Sequence, residues 1–286
     1  MRALAIGGLG LVGLFAGVAV GILVDRVPAR LPLLPLRDAR RRCRSVAPPP
    51  LAIGTAAEDA SSTDPALGER SVLEYDDGGH GAPALTLPLL RRRCPVCHRP
   101  AGIRYAVVEL VSAVLFASAA WRLGADWALP AYMVFFACLV AVSAIDLEHH
   151  IIPNRIVYPT IFASVPLLAA AAALQGEGDR LEHALIGATA AWGALLLIYL
   201  VSPRGMGFGD VRLSFVLGLY LGWMGLRHVL TGIFMGFLLG SVVGLGLVAI
   251  RLRTRKDHIP FGPFLAAGAV VTVLGGATIN RWWLTG

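Results

Sequence analysis

The chain has 286 residues, 56% of them hydrophobic, with a mean hydropathy of +0.70, and a water-soluble domain cannot cover that much apolar surface. Its net charge of +7 and pI near 9.7 would suit nucleic acid. The basic residues sit beside apolar runs rather than in an aromatic-laced domain, so membrane topology accounts for them and nucleic acid is not an expected partner.

A hydrocarbon core about 30 Å thick needs roughly 20 mainly apolar residues per spanning helix. Such runs fall at 4–24, 105–123, 127–145, 156–174, 183–201, 211–224, 229–250 and 262–280. They predict an all-α polytopic membrane bundle of about eight transmembrane helices, the sixth of them short. In the first run the arginines follow the apolar residues instead of preceding them, which reads as a retained helix rather than a cleaved leader. Three parts follow: a first transmembrane helix (1–24), a loop (25–104) and a seven-helix core (105–286).

Of the 25 Lys and Arg residues, only Arg2, Arg122, Arg180, Arg227 and Arg281 lie outside the segments 25–104, 146–155, 202–212 and 251–258. These segments are alternate loops, so the positive-inside rule makes them cytoplasmic and places both termini outside. The expected location is a bacterial inner membrane. The middle of the long loop, Pro48 to Leu85, is rich in Ala, Gly, Ser, Pro and Asp, which predicts partial disorder. Its flanks, Arg37–Arg44 and Arg91–Arg99, are basic and suit anionic lipid headgroups as well as they suit a substrate.

Two acidic elements stand out. At the end of the third run the chain reads Ala144-Ile145-Asp146-Leu147-Glu148-His149-His150-Ile151-Ile152-Pro153-Asn154. A helix there should pass Asp146, continue for about two turns and stop at Ile152, because Pro153 disfavours helix in the residue before it. Between the fifth and sixth runs lies Gly205-Met206-Gly207-Phe208-Gly209-Asp210-Val211-Arg212-Leu213, whose glycines permit a tight approach just before a carboxylate. Taken singly, Asp146 could be an interfacial acid and Asp210 an ordinary helix N-cap.

Together, two carboxylates at the same membrane edge are expensive unless solvated, paired or functional. A few ångströms apart they would share one proton. One could then activate water while the other protonates the developing oxyanion or leaving nitrogen. That is metal-free peptide hydrolysis, and it makes Asp146 and Asp210 the candidate catalytic residues. Other readings of the pair are a proton- or cation-coupled secondary transporter and a non-catalytic assembly protein of a pilus or secretion system.

The motifs resemble those of the prepilin peptidases, or type IV leader peptidases. Gly207-Phe208-Gly209-Asp210 with Val211-Arg212-Leu213 is similar to that family's second aspartate element, and Ile145-Asp146 with Ile152-Pro153-Asn154 to its first. Cys94-Pro95-Val96-Cys97, Ile103-Arg104-Tyr105 and Glu109 resemble the segment before the second helix. Phe261-Gly262-Pro263 resembles the segment before the last helix, and Gly17 with Arg26-Val27-Pro28 part of the N-terminal signature.

The resemblance implies an aspartic endopeptidase that needs no cofactor for hydrolysis. Its substrates would be prepilins or pseudopilins, cut at the cytoplasmic face. Expected supporting residues are Gly207, Gly209, Arg212, Pro153, Asn154, Glu109, Phe261, Gly262 and Pro263. Long members also N-methylate the new N-terminus with S-adenosylmethionine as donor, and Gly21 here replaces an Asn of their N-terminal segment. Those members carry two C-x-x-C pairs, a set suited to zinc. This chain has one pair plus Cys43, so a site from Cys43, Cys94 and Cys97 would need His80 or His98 as fourth ligand; otherwise these are free cytosolic thiols. Glu109 has Arg104 or a neighbouring helix as its expected partner, and Cys138 reads as helix packing.

Overall fold

The computed structural model describes residues 2–27, 103–203, 206–250 and 260–285. The candidate metal ligands Cys43, Cys94, Cys97, His80 and His98, and the stretch expected to be disordered, lie outside the described residues. Eight helices occur among the described residues: α1 (Arg2–Arg26), α2 (Ile103–Leu123), α3 (Leu129–His149), α4 (Asn154–Gln175), α5 (Gly178–Val201), α6 (Phe208–Trp223), α7 (Leu226–Ala249) and α8 (Gly262–Thr285). They follow the eight apolar runs one for one. Five of them, α2 to α5 and α7, are individually long and apolar enough to cross a bilayer, and the protein is a multi-pass helical membrane protein.

Helix α6 is the short one. Its 16 residues rise about 24 Å at 1.5 Å each, less than the thickness of a hydrocarbon core. The helix compensates by position, for it is enclosed by α3, α4, α5, α7 and α8 and is buried along almost its whole length, from Asp210 to Trp223. Helix α3 is the other hub, touching α1, α2, α4, α6 and α8. The two helices that carry the candidate aspartates are therefore the two most enclosed by neighbours.

Between apolar helices in lipid there is no solvent to squeeze out, so close backbone approach carries the packing. Along the α5–α6 seam, a Cβ on Gly187 would lie 2.6 Å from the Gly218 carbonyl oxygen, and one on Gly222 would lie 2.5 Å from that of His183. On α7, Gly232 faces Leu221 of α6, while Gly236 and Gly240 face Leu265 and Phe261. Farther along α7, Gly246 has open space around it. Near the start of the chain, a Cβ on Gly17 would lie 2.5 Å from the Glu109 Cα, so this glycine lets α1 press against α2.

In the interior the Tyr132 hydroxyl donates to the Tyr220 carbonyl at 2.9 Å. The Tyr220 hydroxyl lies 2.7 Å from the Ala131 carbonyl and 2.6 Å from Ser164 Oγ. Its ring stacks on Phe135 at 4.3 Å between centroids. These contacts join α3, α4 and α6 and satisfy polar groups that lipid could not.

Candidate active site

Helix α3 ends sooner than its sequence suggests. It stops at His149, one turn beyond Asp146, and His150 takes a left-handed conformation (φ 54°, ψ 36°) with its N–H on the Asp146 carbonyl. The left-handed residue closes the helix before the restriction imposed by Pro153 is reached. Pro153 then serves as the extended N-cap of α4, its carbonyl accepting the N–H groups of Ile156 and Val157 at 3.1 and 3.3 Å. The connection 150–153 is thus short and fixed at both ends.

Asp146 is 5% exposed. Its Oδ2 accepts the backbone N–H of Gly262 at 3.0 Å, the first residue of α8. A helix N-terminus has N–H groups without intrahelical partners and a positive dipole end, so a carboxylate there is well placed. The approach requires glycine: a Cβ at position 262 would lie 2.7 Å from Asp146 Oδ2 and 3.2 Å from Ile152 Cδ1.

Asp210 is 6% exposed and is not the N-cap that its position in the sequence allows. Gly207 is the cap, in an extended conformation, and Asp210 is the third helical residue. Its carboxylate reaches back to the Gly207 N–H, as the third residue of a capping box does. Local helix chemistry thus accounts for one oxygen; Oδ1 is buried and has no hydrogen-bond partner among the described residues. The Asp210 carboxylate, on α6, lies within electrostatic range of Asp146 on α3.

Arg212, one turn into α6, points to α4. Its Nη1 donates to Asn154 Oδ1, and its guanidinium lies 4.4 Å over the Phe208 ring and 5.9 Å from that of Tyr158. Gly209 packs on Ile152, where a Cβ would meet the Ile152 Cβ at 2.7 Å. Of the expected supporting residues, Gly207 and Gly262 hold the two aspartates and Gly209 adjoins Asp210, while Arg212 and Asn154 pair with each other and Pro153 caps α4.

The remaining three play other parts. Phe261 packs its ring on Phe237 at 4.8 Å and against Gly240, anchoring the segment from which Gly262 emerges. Pro263 occupies the second position of α8, where its missing N–H costs nothing. Glu109 is half-buried in α2 against Gly17 of α1, and the side chain of Arg104 lies outside the described residues. Cys138 is free and buried in α3. His149 faces Glu148 at 3.9 Å, and the described residues contain no group of three or more His, Cys, Asp or Glu arranged to hold a metal.

Ile152 was not singled out by sequence reasoning as a site residue, although it touches the glycine beside one aspartate and the glycine that binds the other. A half-buried isoleucine before a proline carries no chemical signal of its own.

The type IV leader peptidase family matches residues 133–249, and the bacterial peptidase A24 N-terminal domain matches residues 80–123. Over 208 residues the chain is 35% identical to the prepilin leader peptidase/N-methyltransferase of Aeromonas hydrophila, spanning 71% of this chain and 69% of that protein. The chain belongs to the type IV leader peptidase family. The protein of the same description from Stutzerimonas stutzeri is 30% identical over 283 residues, 96% of this chain and 93% of its own. That from Pseudomonas aeruginosa is 31% identical over 280 residues, covering 94% and 91%. No solved structure matches. The family match on 133–249 contains Asp146, Asp210 and Arg212 but ends before Gly262, which the fold brings back to Asp146.

Proposed function

We propose that this protein is a prepilin leader peptidase in which Asp146 and Asp210 are the catalytic pair. What supports the reading is a pair of buried carboxylates on α3 and α6, one within electrostatic range of the other, in a chain of the type IV leader peptidase family. Two buried acids within electrostatic range of each other disfavour double ionisation, so in this reading one of the pair is protonated and the other ionised. The ionised member takes a proton from water as that water attacks the scissile carbonyl. The protonated member donates to the carbonyl oxygen; the member that took the proton from water then passes it to the departing amine, and the first member recovers its proton from the intermediate's hydroxyl as the carbonyl re-forms. Gly262 N–H and Gly207 N–H hold one carboxylate each, which leaves Asp210 Oδ1 free to meet the water.

The substrate class follows from the relatives' printed names: prepilins, with a leader that reaches the aspartate end of the bundle. On the positive-inside argument that end is cytoplasmic and the membrane is the bacterial inner membrane. In this reading the seven-helix core 105–286 carries the hydrolytic centre, and 25–104 is a cytoplasmic loop. Those names also carry N-methyltransferase activity.

Cleavage of a co-expressed prepilin by the wild type, Asp146→Asn and Asp210→Asn, at matched membrane levels, tests the reading. Loss of cleavage in both variants is expected. Near wild-type cleavage by either would overturn the pair. Mass analysis of the released N-terminus reports methylation in the same experiment, and cysteine labelling at Ile151 in sealed vesicles reports which face carries the site.

A further inference from the structure

The connection between α3 and α4 places one side chain against both halves of the site. A Cβ on Gly209, the residue before Asp210, would lie 2.7 Å from Ile152 Cβ, 3.3 Å from its Cγ1 and 3.5 Å from its Cδ1. A Cβ on Gly262, whose N–H holds Asp146, would lie 3.2 Å from the same Cδ1. Ile152 thus fills the gap between the backbone that carries one carboxylate and the backbone that holds the other. Its own backbone is fixed by the left-handed His150 on one side and the cap Pro153 on the other.

We propose that Ile152 is a positioning residue, a stiff spacer that sets the separation of Asp146 and Asp210. The branch at Cβ restricts χ1, so the side chain resists compression better than an unbranched one of equal volume. Its Cβ and Cγ1 meet the Gly209 side and its Cδ1 the Gly262 side, so the side chain can be shortened in steps. Valine loses Cδ1 and with it the Gly262 contact; alanine loses the γ carbons as well and keeps only the Cβ contact to Gly209.

The inference rests on the aspartate-pair reading, and the experiment separates the two. Steady-state cleavage of a prepilin is measured across pH with the purified full-length enzyme and with Ile152→Val, Ile152→Ala and Ile151→Ala. Ile151, next along the chain, is exposed. Reacting groups displaced by about 1 Å lose on the order of 100-fold in rate, so Ile152→Ala is expected to lose kcat on that scale with KM little changed. Ile152→Val should fall between it and the wild type, and Ile151→Ala should match the wild type.

A change in carboxylate spacing also alters how strongly the pair shares its proton. The two limbs of the bell-shaped profile should draw together as the pair is loosened. The charged groups acting on the pair are Asp146 on Asp210 and His150 on Asp146; α6 and α8 add the N–H groups of Gly207 and Gly262. An Ile152 substitution alters none of these, so a narrower profile reports distance.

Should Ile152→Ala fail to accumulate, Ile152→Val alone decides. Wild-type kcat and profile in Ile152→Val or Ile152→Ala, or an equal loss in Ile151→Ala, would overturn the spacer role. If those results came with inactive Asp146→Asn and Asp210→Asn, the pair would stand and the spacer fall; cleavage by either Asn variant would remove the pair itself.

Discussion

Asp146 and Gly262 meet across 116 positions of the chain, with the carboxylate Oδ2 on the glycine N–H at 3.0 Å. Helix α8 thereby contributes to the site with its backbone alone, through the end that carries its positive dipole. Residue 262 can be nothing larger than glycine without pushing on the carboxylate itself.

Gly262→Ala therefore tests this relationship most directly. The added methyl would sit 2.7 Å from Asp146 Oδ2 and displace it, with an expected loss of about 100-fold in cleavage rate. Gly262→Leu should be inactive. Membrane abundance measured beside activity separates a displaced carboxylate from a misfolded chain, and normal cleavage by a well-folded Gly262→Leu would contradict the assignment.

Arg212 joins α6 to α4 through Asn154 while its guanidinium lies over Phe208. Arg212→Ala removes a charged hydrogen bond and a cation–π contact, together worth about 2 kcal/mol. Arg212→Lys keeps the charge but not the planar fork, so it should recover only part of the loss. Unfolding in detergent measures both, and equal stability of Lys and Arg at this position would show the planar contact to be idle.

On the α5–α6 seam the helices touch through backbone. Gly187→Ala would press a methyl to within 2.6 Å of the Gly218 carbonyl and 2.9 Å of the Gly222 Cα, at an expected cost of about 1–3 kcal/mol. Gly193→Ala, on the same helix with open space around it, should be neutral. Thermal unfolding of the two variants side by side distinguishes close approach from a general effect of glycine in the helix.

The Tyr220 hydroxyl offers a contrast between stability and chemistry. It bonds within the interior, ten residues along α6 from Asp210 and so about 15 Å away. Tyr220→Phe should cost about 1 kcal/mol of stability, the usual scale for such bonds between membrane helices, and leave kcat unchanged. A large fall in kcat at normal stability would mean that the interior network reaches the aspartates.

The helices were legible because a bilayer imposes a length that composition reveals; even the shortness of α6 follows from the run 211–224. The aspartate motifs were legible because carboxylates beside apolar runs are costly. What the sequence did not disclose was contact. Asp146 and Asp210 meet through packing among helices that are apolar on all sides, so no one-sided stripe marks which faces touch. Ile152 and the Gly262 N–H were hidden for another reason: one acts by shape and the other by backbone, and neither depends on a distinctive functional group. The early stop of α3 at His149 was missed because proline marks where a helix must end, while a left-handed residue can end it sooner.

The bond from α8 to α3 also governs when the site exists. A nascent chain inserted only through α7 already carries both aspartates, yet Asp146 lacks the donor that holds it and Ile152 lacks the Gly262 side of its contact. The backbone donor that holds Asp146 is thus in place only once α8 has packed against α3.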